Sequence, residues 1–435
     1  MSGTGKITLF QSILLSVFGF FIIAGIILFA ASSNFNKTKT ISNVVIWGTL
    51  DGTAFQSVIQ AQSDSDTRFQ HVTYIQKKAA TFDSDLADAL ASGSGPSLVL
   101  IRQDSLLKDQ DKILTIPFAT LPQKTFTDTY IDEARLFLSP SGVLAQPVIV
   151  DPMVIYWNKD MLAKNSFSQA PQYWDEVFAM AEKMGVKDSS GNITRSAIAL
   201  GESANIPNAK QILSMFIMQA GGTVTAIGES GKPGETLSLG SSTGSERPAD
   251  SALRFYTSFA NPTESVYSWN RALPSARDAF AQGIIALYVG FASEMPTIAA
   301  QNPNLNFDVA PVPQIRNSAR SVTYGDVYAL AIPRTAAHPA DGAAIASALA
   351  GASIAGALSS ALNLPSVRRD LLAKPADGPM LVFRGAALIS NGWLDPDPLK
   401  TNDIFATMIS GVTSGSARLT EAVDRAGQAL EALLQ

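Results

Sequence analysis

Residues 147–162 read PVIVDPMVIYWNKDML, which is two strand-like apolar runs separated by an Asp-Pro pair. A strand in an ordinary protein core would not carry a carboxylate such as Asp151 in its middle, because burying a charge is unfavourable. Pro152 has no backbone N–H and cannot complete a regular ladder of hydrogen bonds. One interpretation is that Asp151 caps a turn before Pro152 and so ends the first strand.

The chain contains 435 residues, of which 46% are apolar and 16% are charged. This length is enough for two or more domains of about 100–200 residues each. The formal net charge is −5, and the Lys and Arg residues form no cluster with interleaved aromatic side chains. Because nucleic-acid binding depends on such basic clusters, the composition argues against a nucleic-acid partner.

The chain has no cysteine, which excludes disulfides, thiolate zinc sites, cysteine nucleophiles and a lipid anchor on cysteine. The two histidines, His71 and His338, are far apart and no motif joins them. A Ser-His catalytic triad would need one of these two histidines. We therefore predict no catalytic residues, no metal and no cofactor.

The amino-terminal region contains a long uncharged stretch at residues 7–31. As a helix it would measure roughly 37 Å, enough to cross a bilayer and longer than the core of a secretory signal. We predict a membrane anchor at residues 1–34 and a stalk at 35–42, with the body on the extracytoplasmic side. Cleavage near the FAASS segment remains the alternative. A second uncharged stretch, residues 342–367, predicts one soluble helix with a buried stripe.

The body begins with alternating strand and helix patterns. A strand ending at Trp47 precedes a helix from Thr53, and a second strand covers 71–78. A helix capped by Ser84 and a third strand at 97–101 follow. This order predicts an α/β unit with a largely parallel sheet, whose ligands bind beyond the carboxyl ends of the strands.

Six segments then occur in a characteristic order: DALASGSGPSLVLI, VIYWNKDML, APQYWDEVFAMAEKMG, MQAGG, ARDAFAQGIIALYVG and NFDVAPVPQ. Together they resemble the extracellular solute-binding proteins of ABC importers, the group that includes maltodextrin-binding protein. The resemblance extends from about Asn43 to Gln435. Many of these relatives carry a cysteine lipid anchor, which this chain lacks, and the long apolar span would replace it.

The resemblance implies an α/β, two-lobe fold of the periplasmic-binding-protein type (type II) with a cleft between the lobes. Lobe 1 would contain residues 43–148 plus 326–378, and lobe 2 would contain 149–325 plus 379–435. The chain would cross between lobes near Asp151 and Asp326. Asp151 would then lie at the hinge and face the cleft, while the turn cap remains the alternative.

A carbohydrate presents hydroxyl groups and apolar C–H faces, which carboxylates, amides and aromatic rings complement. By resemblance, Asp51 contacts the sugar, although it could instead cap the helix from Thr53. Trp47 could stack on a sugar ring or pack at the end of the sheet. Asp104 occupies a ligand position of the family or is a solvated loop acid.

Further candidates follow later strands and loops. The resemblance places Trp269 and Asn270 beside the cleft, and Glu202 is either a cleft residue or a surface acid. Tyr324, Gly325 and Asp326 would form the second crossing, opposite Asp151. The turn-rich loop NGWLDPDP predicts a stacking role for its tryptophan, Trp393.

These features predict a membrane-anchored, monomeric binding protein that captures a small solute, a carbohydrate, and delivers it to an ABC-transporter permease. One alternative is a cell-surface glycoside hydrolase that uses Asp51 and Asp151 as paired carboxylates. Another is a sensor or adhesin that uses the same clamp without transport. The α/β pattern with helical insertions favours a clamp over an enzyme barrel.

Overall fold

The computed structural model of the protein describes residues 42–228, 231–240, 246–318 and 320–435. The predicted anchor at 1–34, and the predicted stalk as far as residue 41, lie outside the described residues. Within the described ranges, no single helix has both the length and the apolar character to span a membrane. One pair of helices, Pro339–Leu349 and Ala352–Leu362, meets these criteria only when taken together, and it is bent by 71°.

The described residues form a mixed α/β structure around a ten-stranded sheet. The strands of the chain are β1 (Val44–Gly48), β2 (Val72–Gln76), β3 (Leu98–Arg102), β4 (Ile116–Pro117), β5 (Leu138–Ser139), β6 (Gly142–Val143), β7 (Gln146–Asn158), β8 (Val186–Lys187), β9 (Ile193–Ile198), β10 (Thr225–Ile227), β11 (Pro233–Glu235), β12 (Ile285–Phe291), β13 (Phe307–Ala310), β14 (Thr323–Ala331) and β15 (Ser390–Asn391).

The main sheet has the strand order β2-β1-β3-β14-β7-β12-β9-β8, with β13 beside β7 and β15 beside β14. Strand β1 is parallel to both β2 and β3, as the strand-helix-strand pattern predicts. Strands β7 and β14 join the two ends of this sheet and are antiparallel to each other. Every residue of β14 is buried, so this centre of the sheet is covered on both faces.

The described residues contain sixteen α-helices. They are α1 (Gly52–Ser63), α2 (Phe82–Ala91), α3 (Leu106–Asp109), α4 (Gln123–Thr129), α5 (Lys159–Lys164), α6 (Trp174–Met184), α7 (Ala209–Gln219), α8 (Pro248–Ser258), α9 (Ala276–Ala281), α10 (Met295–Gln301), α11 (Pro339–Leu349), α12 (Ala352–Leu362), α13 (Arg369–Leu372), α14 (Pro379–Leu388), α15 (Pro398–Thr413) and α16 (Leu419–Leu434).

The Asp-Pro pair lies inside one continuous strand, so the predicted interruption at this point is wrong. Strand β7 runs without a break through Asp151 and Pro152. Its residues as far as Pro152 pair with β14, and those from Met153 onward pair with β12 and β13. Pro152 is therefore at the end of the β14 ladder, where its missing N–H interrupts no interior rung.

Three local predictions also differ from the structure. Helix α2 begins at Phe82 after Thr81, so Ser84 lies inside the helix and not at its cap. The stretch 342–367 contains two helices, because the backbone at Gly351 is extended and turns the second helix away from the first. Residues 226–249 are rich in Gly, Ser and Pro, which predicts a surface loop, yet most of the hairpin of β10 and β11 lies within them.

Candidate functional site

Two aspartates lie opposite each other where the two central strands meet. Asp151 on β7 is paired in register with Asp326 on β14, and both side chains are buried. The Asp151 carboxylate accepts a hydrogen bond from the backbone N–H of Ser293 at 3.0 Å. Its fixed position in the middle of a strand excludes the turn cap that the sequence left open.

The end of strand β3 supplies the positive charge for this region. Arg102 donates from one guanidinium nitrogen to Asp326 (3.0 Å) and from another to Asp104 (2.7 Å). The next residue, Gln103, donates to the carbonyl oxygen of Gly325 (2.8 Å) and accepts from the backbone N–H of Val327 (2.6 Å). Two consecutive residues at the end of β3, Arg102 and Gln103, therefore hold the second crossing strand in place.

Burial controls the protonation of the two facing aspartates. It raises the pKa of Asp151 to about 7, although the hydrogen bond from Ser293 opposes the shift. Burial also raises the pKa of Asp326, to about 6, and the nearby Arg102 charge opposes that increase. Arg102 pairs with Asp326, whereas Asp151 accepts from a backbone N–H, so burial disfavours the ionised form of Asp151 more than that of Asp326.

Gly325 and Glu133 form a close contact beside the aspartates. Neither carboxyl oxygen of Glu133 has a hydrogen-bond partner among the described residues, although the side chain is only 2% exposed. A Cβ on Gly325 would lie 2.7 Å from one of these oxygens, and a Cβ on Gly392 would lie 2.7 Å from the other. Burial raises the pKa of Glu133 well above its usual range, so the neutral acid is favoured.

Trp47 and Asp51 lie at the carboxyl end of β1, as the sequence predicts. Asp51 is exposed, and its side chain accepts a hydrogen bond from the backbone N–H of Ala54 at 2.7 Å. It therefore acts as the N-cap of α1, the alternative role considered for it. Trp47 is partly exposed, and the ammonium group of Lys77 lies 3.6 Å from the centre of its ring.

Glu202, Trp269 and Asn270 lie close together in a separate group of loops. Glu202 is buried and pairs with Arg271 at 3.4 Å, which excludes the alternative of a surface acid. Trp269 is fully buried, and its indole N–H donates to the side chain of Asn205 at 3.0 Å. A ring with no exposed face cannot stack on a solute, which removes the predicted ligand role of Trp269 in this structure.

The predicted stacking role of Trp393 is contradicted for the same reason. Its side chain is 3% exposed, its ring stacks on Phe405 with centroids 6.2 Å apart, and its indole N–H donates to Ser214. The neighbouring Lys210 and Asp395 form a buried ion pair of 2.8 Å. The turn-rich loop is thus packed against two helices and does not present the ring to solvent.

The structure therefore brings five of the predicted residues into one buried cluster: Asp104, Asp151, Tyr324, Gly325 and Asp326. Glu133, Arg102 and Gln103 are not among the predicted site residues, although the last two directly follow the strand predicted at 97–101. Among the described residues, no group of three or more His, Cys, Asp and Glu side chains is arranged to hold a metal ion.

The two ends of the sheet share the long central strands β7 and β14, and a polar cluster lies where these strands meet. This arrangement defines a two-lobed α/β binding protein. The family model for bacterial extracellular solute-binding proteins matches residues 62–379, and the chain belongs to this family. The members of this family are binding proteins, and the chain is a solute-binding protein of the two-lobe, periplasmic-binding-protein-like fold.

Solved structures with this fold cover nearly the whole chain. A cyclo/maltodextrin-binding protein complexed with maltotetraose is 14% identical, with a TM-score of 0.73 over 92% of this chain and 99% of that chain. A cyclic α-maltosyl-1,6-maltose-binding protein from Arthrobacter globiformis is 18% identical (TM-score 0.71; 90% and 98%). An ABC-transporter solute-binding protein from Thermotoga lettingae, bound with α-D-tagatose, is 18% identical (0.69; 91% and 100%). No curated protein matches the sequence.

Proposed function

We propose that this chain captures a carbohydrate between its two lobes and delivers it to the permease of an ABC importer. The observation that carries the proposal is strand β7, which joins the two ends of the sheet and places Asp151 opposite Asp326. Solved structures with the same fold contain maltotetraose, tagatose or mannobiose. These ligands support a carbohydrate as the solute class.

The lobe boundaries follow from the two crossings near Asp151 and Asp326. Lobe 1 contains residues 43–148 plus 326–378, and lobe 2 contains residues 149–325 plus 379–435. The change of pairing partner after Pro152 supports a crossing at that position. A change of lobe orientation on solute binding, measured by small-angle scattering, tests this division.

Asp51 and Trp47 are the proposed contacts from lobe 1. The cap uses one hydrogen bond to an Asp51 oxygen, and a carboxylate can accept about four. Asp51 therefore keeps acceptor capacity for solute hydroxyl groups. Asn270 and the Glu202–Arg271 pair are the proposed contacts from lobe 2, because Arg271 remains more than half exposed. A hydrolytic role is less well supported, since Asp151 is buried and bonded to Ser293.

The chain is proposed to act at the cell membrane as a monomer, with residues 7–31 as its anchor and its body on the extracytoplasmic side. The absence of cysteine supports this role for the apolar span, because a cysteine lipid anchor is impossible. Membranes that contain the full-length chain should retain it through a high-salt wash. A mature amino terminus near Ser32 or Ser33 would show that the span is cleaved.

The test of solute binding begins with the protein purified from its native membrane and mass spectrometry of the solute released from it. Calorimetry with maltotetraose, mannobiose and α-D-tagatose then measures affinity. Asp51→Ala should weaken binding by about 1–3 kcal/mol because ligand hydroxyl groups lose an acceptor. A released solute without hydroxyl groups, together with no heat from the three sugars, contradicts the carbohydrate assignment.

Asp66→Ala is the matched control for Asp51→Ala. Asp66 also accepts a hydrogen bond from a helix N–H, that of Arg68, but it precedes β2 and Asp51 follows β1. Because β1 and β2 are parallel, the two aspartates are at opposite edges of the sheet. Equal losses of affinity in the two variants would show that Asp51 acts through helix stability and not through ligand contact.

A further inference from the structure

An aromatic cavity lies in the part of the chain that follows the first crossing, and it includes none of the residues predicted to bind the solute. The cavity has a volume of about 380 Å³. Three helices contribute its aromatic walls, with Trp174 and Phe178 from α6, Phe216 from α7 and Phe255 from α8. Apolar cavities of about 300–1,000 Å³ with aromatic walls are typical small-molecule sites.

The aromatic walls support one another. The ring of Phe216 meets Trp174 edge to face, with centroids 4.8 Å apart, and meets Phe255 in the same way at 5.0 Å. Phe178 lies 5.1 Å from Phe255 on the remaining side. Because each ring is held by another ring, the walls are fixed before any ligand binds.

A buried glutamine fixes the orientation of Trp174. The indole N–H donates to the side-chain oxygen of Gln219 at 2.8 Å. The amide nitrogen of Gln219 donates to the carbonyl oxygens of Pro313 (3.1 Å) and Val322 (2.8 Å). The indole cannot rotate into the cavity without breaking these bonds, so the space does not close by a simple change of rotamer.

The mouth of the cavity carries charges that are already paired. Arg316 lines the cavity, forms a 2.8 Å ion pair with Asp175, and also approaches Glu176 at 3.4 Å. Its guanidinium group lies 3.9 Å from the ring centre of Tyr173. The two carboxylates flank a single arginine, so the mouth of the cavity disfavours an anionic ligand. Both carboxylates are already paired with Arg316, so they do not favour a cationic ligand either. Beside it, Ile315 is 40% exposed, which extends the apolar wall to the surface.

We propose that this cavity binds a small neutral aromatic compound at a site separate from the solute cleft. Its volume sets the size of the ligand, since a dry cavity of about 150 Å³ already holds benzene. A volume of about 380 Å³ therefore accommodates a two-ring compound. A hydroxyl group on that compound would reach the polar mouth at Asp175 and Arg316. The assignment is independent of the proposed carbohydrate function.

The probe for the test is 2-naphthol, which is neutral at pH 7, and its anionic analogue 2-naphthoate provides the comparison. Calorimetry with the full-length chain should show saturable binding of 2-naphthol with a Kd below about 1 mM, and binding of 2-naphthoate at least tenfold weaker. The absence of saturable 2-naphthol binding, or equal affinity for the anion, overturns the proposal.

Two substitutions that fill the cavity locate the binding. Ala220→Phe and Ser251→Phe change lining residues on different elements, and each should reduce the affinity for 2-naphthol at least tenfold. The matched control is Ala226→Phe, at an exposed position outside the cavity, and its affinity should be unchanged. If the filling variants bind as the wild type does, the probe binds elsewhere and the proposal fails.

A second measurement uses the unaltered cavity and does not depend on the two cavity-filling variants. In protein labelled with ¹⁵N-tryptophan, the indole N–H signal of Trp174 is assigned by its loss in Trp174→Phe. This signal should shift on addition of 2-naphthol, while that of Trp393, which does not line the cavity, should not. An unchanged Trp174 signal at saturating probe overturns the proposal even if the filled variants fail to fold.

Discussion

Replacing Asp151 with asparagine tests whether the carboxylate at the strand junction costs stability. Burial raises the pKa of this group from 3.8 to about 7 in the folded state. Between these values the folded chain binds more protons at Asp151 than the unfolded chain does. The free energy of unfolding therefore decreases as pH rises through this window, and the effect is complete above about pH 7.

The change in the free energy of unfolding follows from the size of the pKa shift of Asp151. About three pKa units at about 1.4 kcal/mol each correspond to roughly 4 kcal/mol at pH 8. The asparagine side chain in the Asp151→Asn variant would keep an oxygen that can accept from the backbone N–H of Ser293, so this hydrogen bond survives. Some of the unfavourable energy is shared with Asp326, which remains. We therefore expect Asp151→Asn to stabilise the chain by about 2–4 kcal/mol at pH 8 and by little at pH 4.

The assay is denaturant unfolding of the full-length chain at intervals between pH 4 and pH 8. Asp88→Asn, at an exposed position of helix α2, provides the control and should alter stability little at any pH. The informative quantity is the difference between each variant and the wild type, because other carboxylates titrate equally in both. A difference for Asp151→Asn that does not increase with pH, or a net loss of stability at pH 8, would refute the reasoning.

Three further substitutions test the packing and the ion pairs. Trp393→Ala should destabilise the chain by about 3–5 kcal/mol in urea unfolding, because the ring is buried; a loss of less than about 1 kcal/mol would restore the ligand-stacking role. Lys210→Met should cost about 3–5 kcal/mol at pH 8 because it leaves Asp395 buried without its partner, and unchanged stability would mean that water reaches this pair. Gly325→Ala should cost about 1–3 kcal/mol because its Cβ would lie 2.7 Å from Glu133, and combining it with Glu133→Ala should recover part of that loss.

The fold could be predicted from the sequence because the patterns that indicate its strands and helices are local. Apolar runs such as 97–101 end at turn residues and correspond to strands of the sheet. The ordered motifs then identified the family, which the match over residues 62–379 confirms. The continuous path of β7 was not accessible, because it depends on a change of pairing partners that no local pattern around Pro152 reveals.

The site was harder to predict because burial depends on distant residues. Trp393 lies in a loop that looks exposed, yet Phe405 and Ser214 from two helices cover its ring. Nothing beside Glu133 in the chain indicates that glycines at positions 325 and 392 would leave room for its carboxyl group. For Asp51 the difficulty is different, because the two roles considered for it do not exclude each other. One carboxylate can cap a helix and still accept hydrogen bonds from a ligand.

The pairing of β7 along its whole length has a mechanical consequence. A loop between two lobes concentrates rotation at one or two backbone dihedral angles, whereas a paired ribbon takes up rotation as added twist over many residues. Closure of the clamp would then leave the rungs between β7 and β14 intact. The amide hydrogens of these two strands should exchange with solvent as slowly as the most protected core, even while the lobes on either side move.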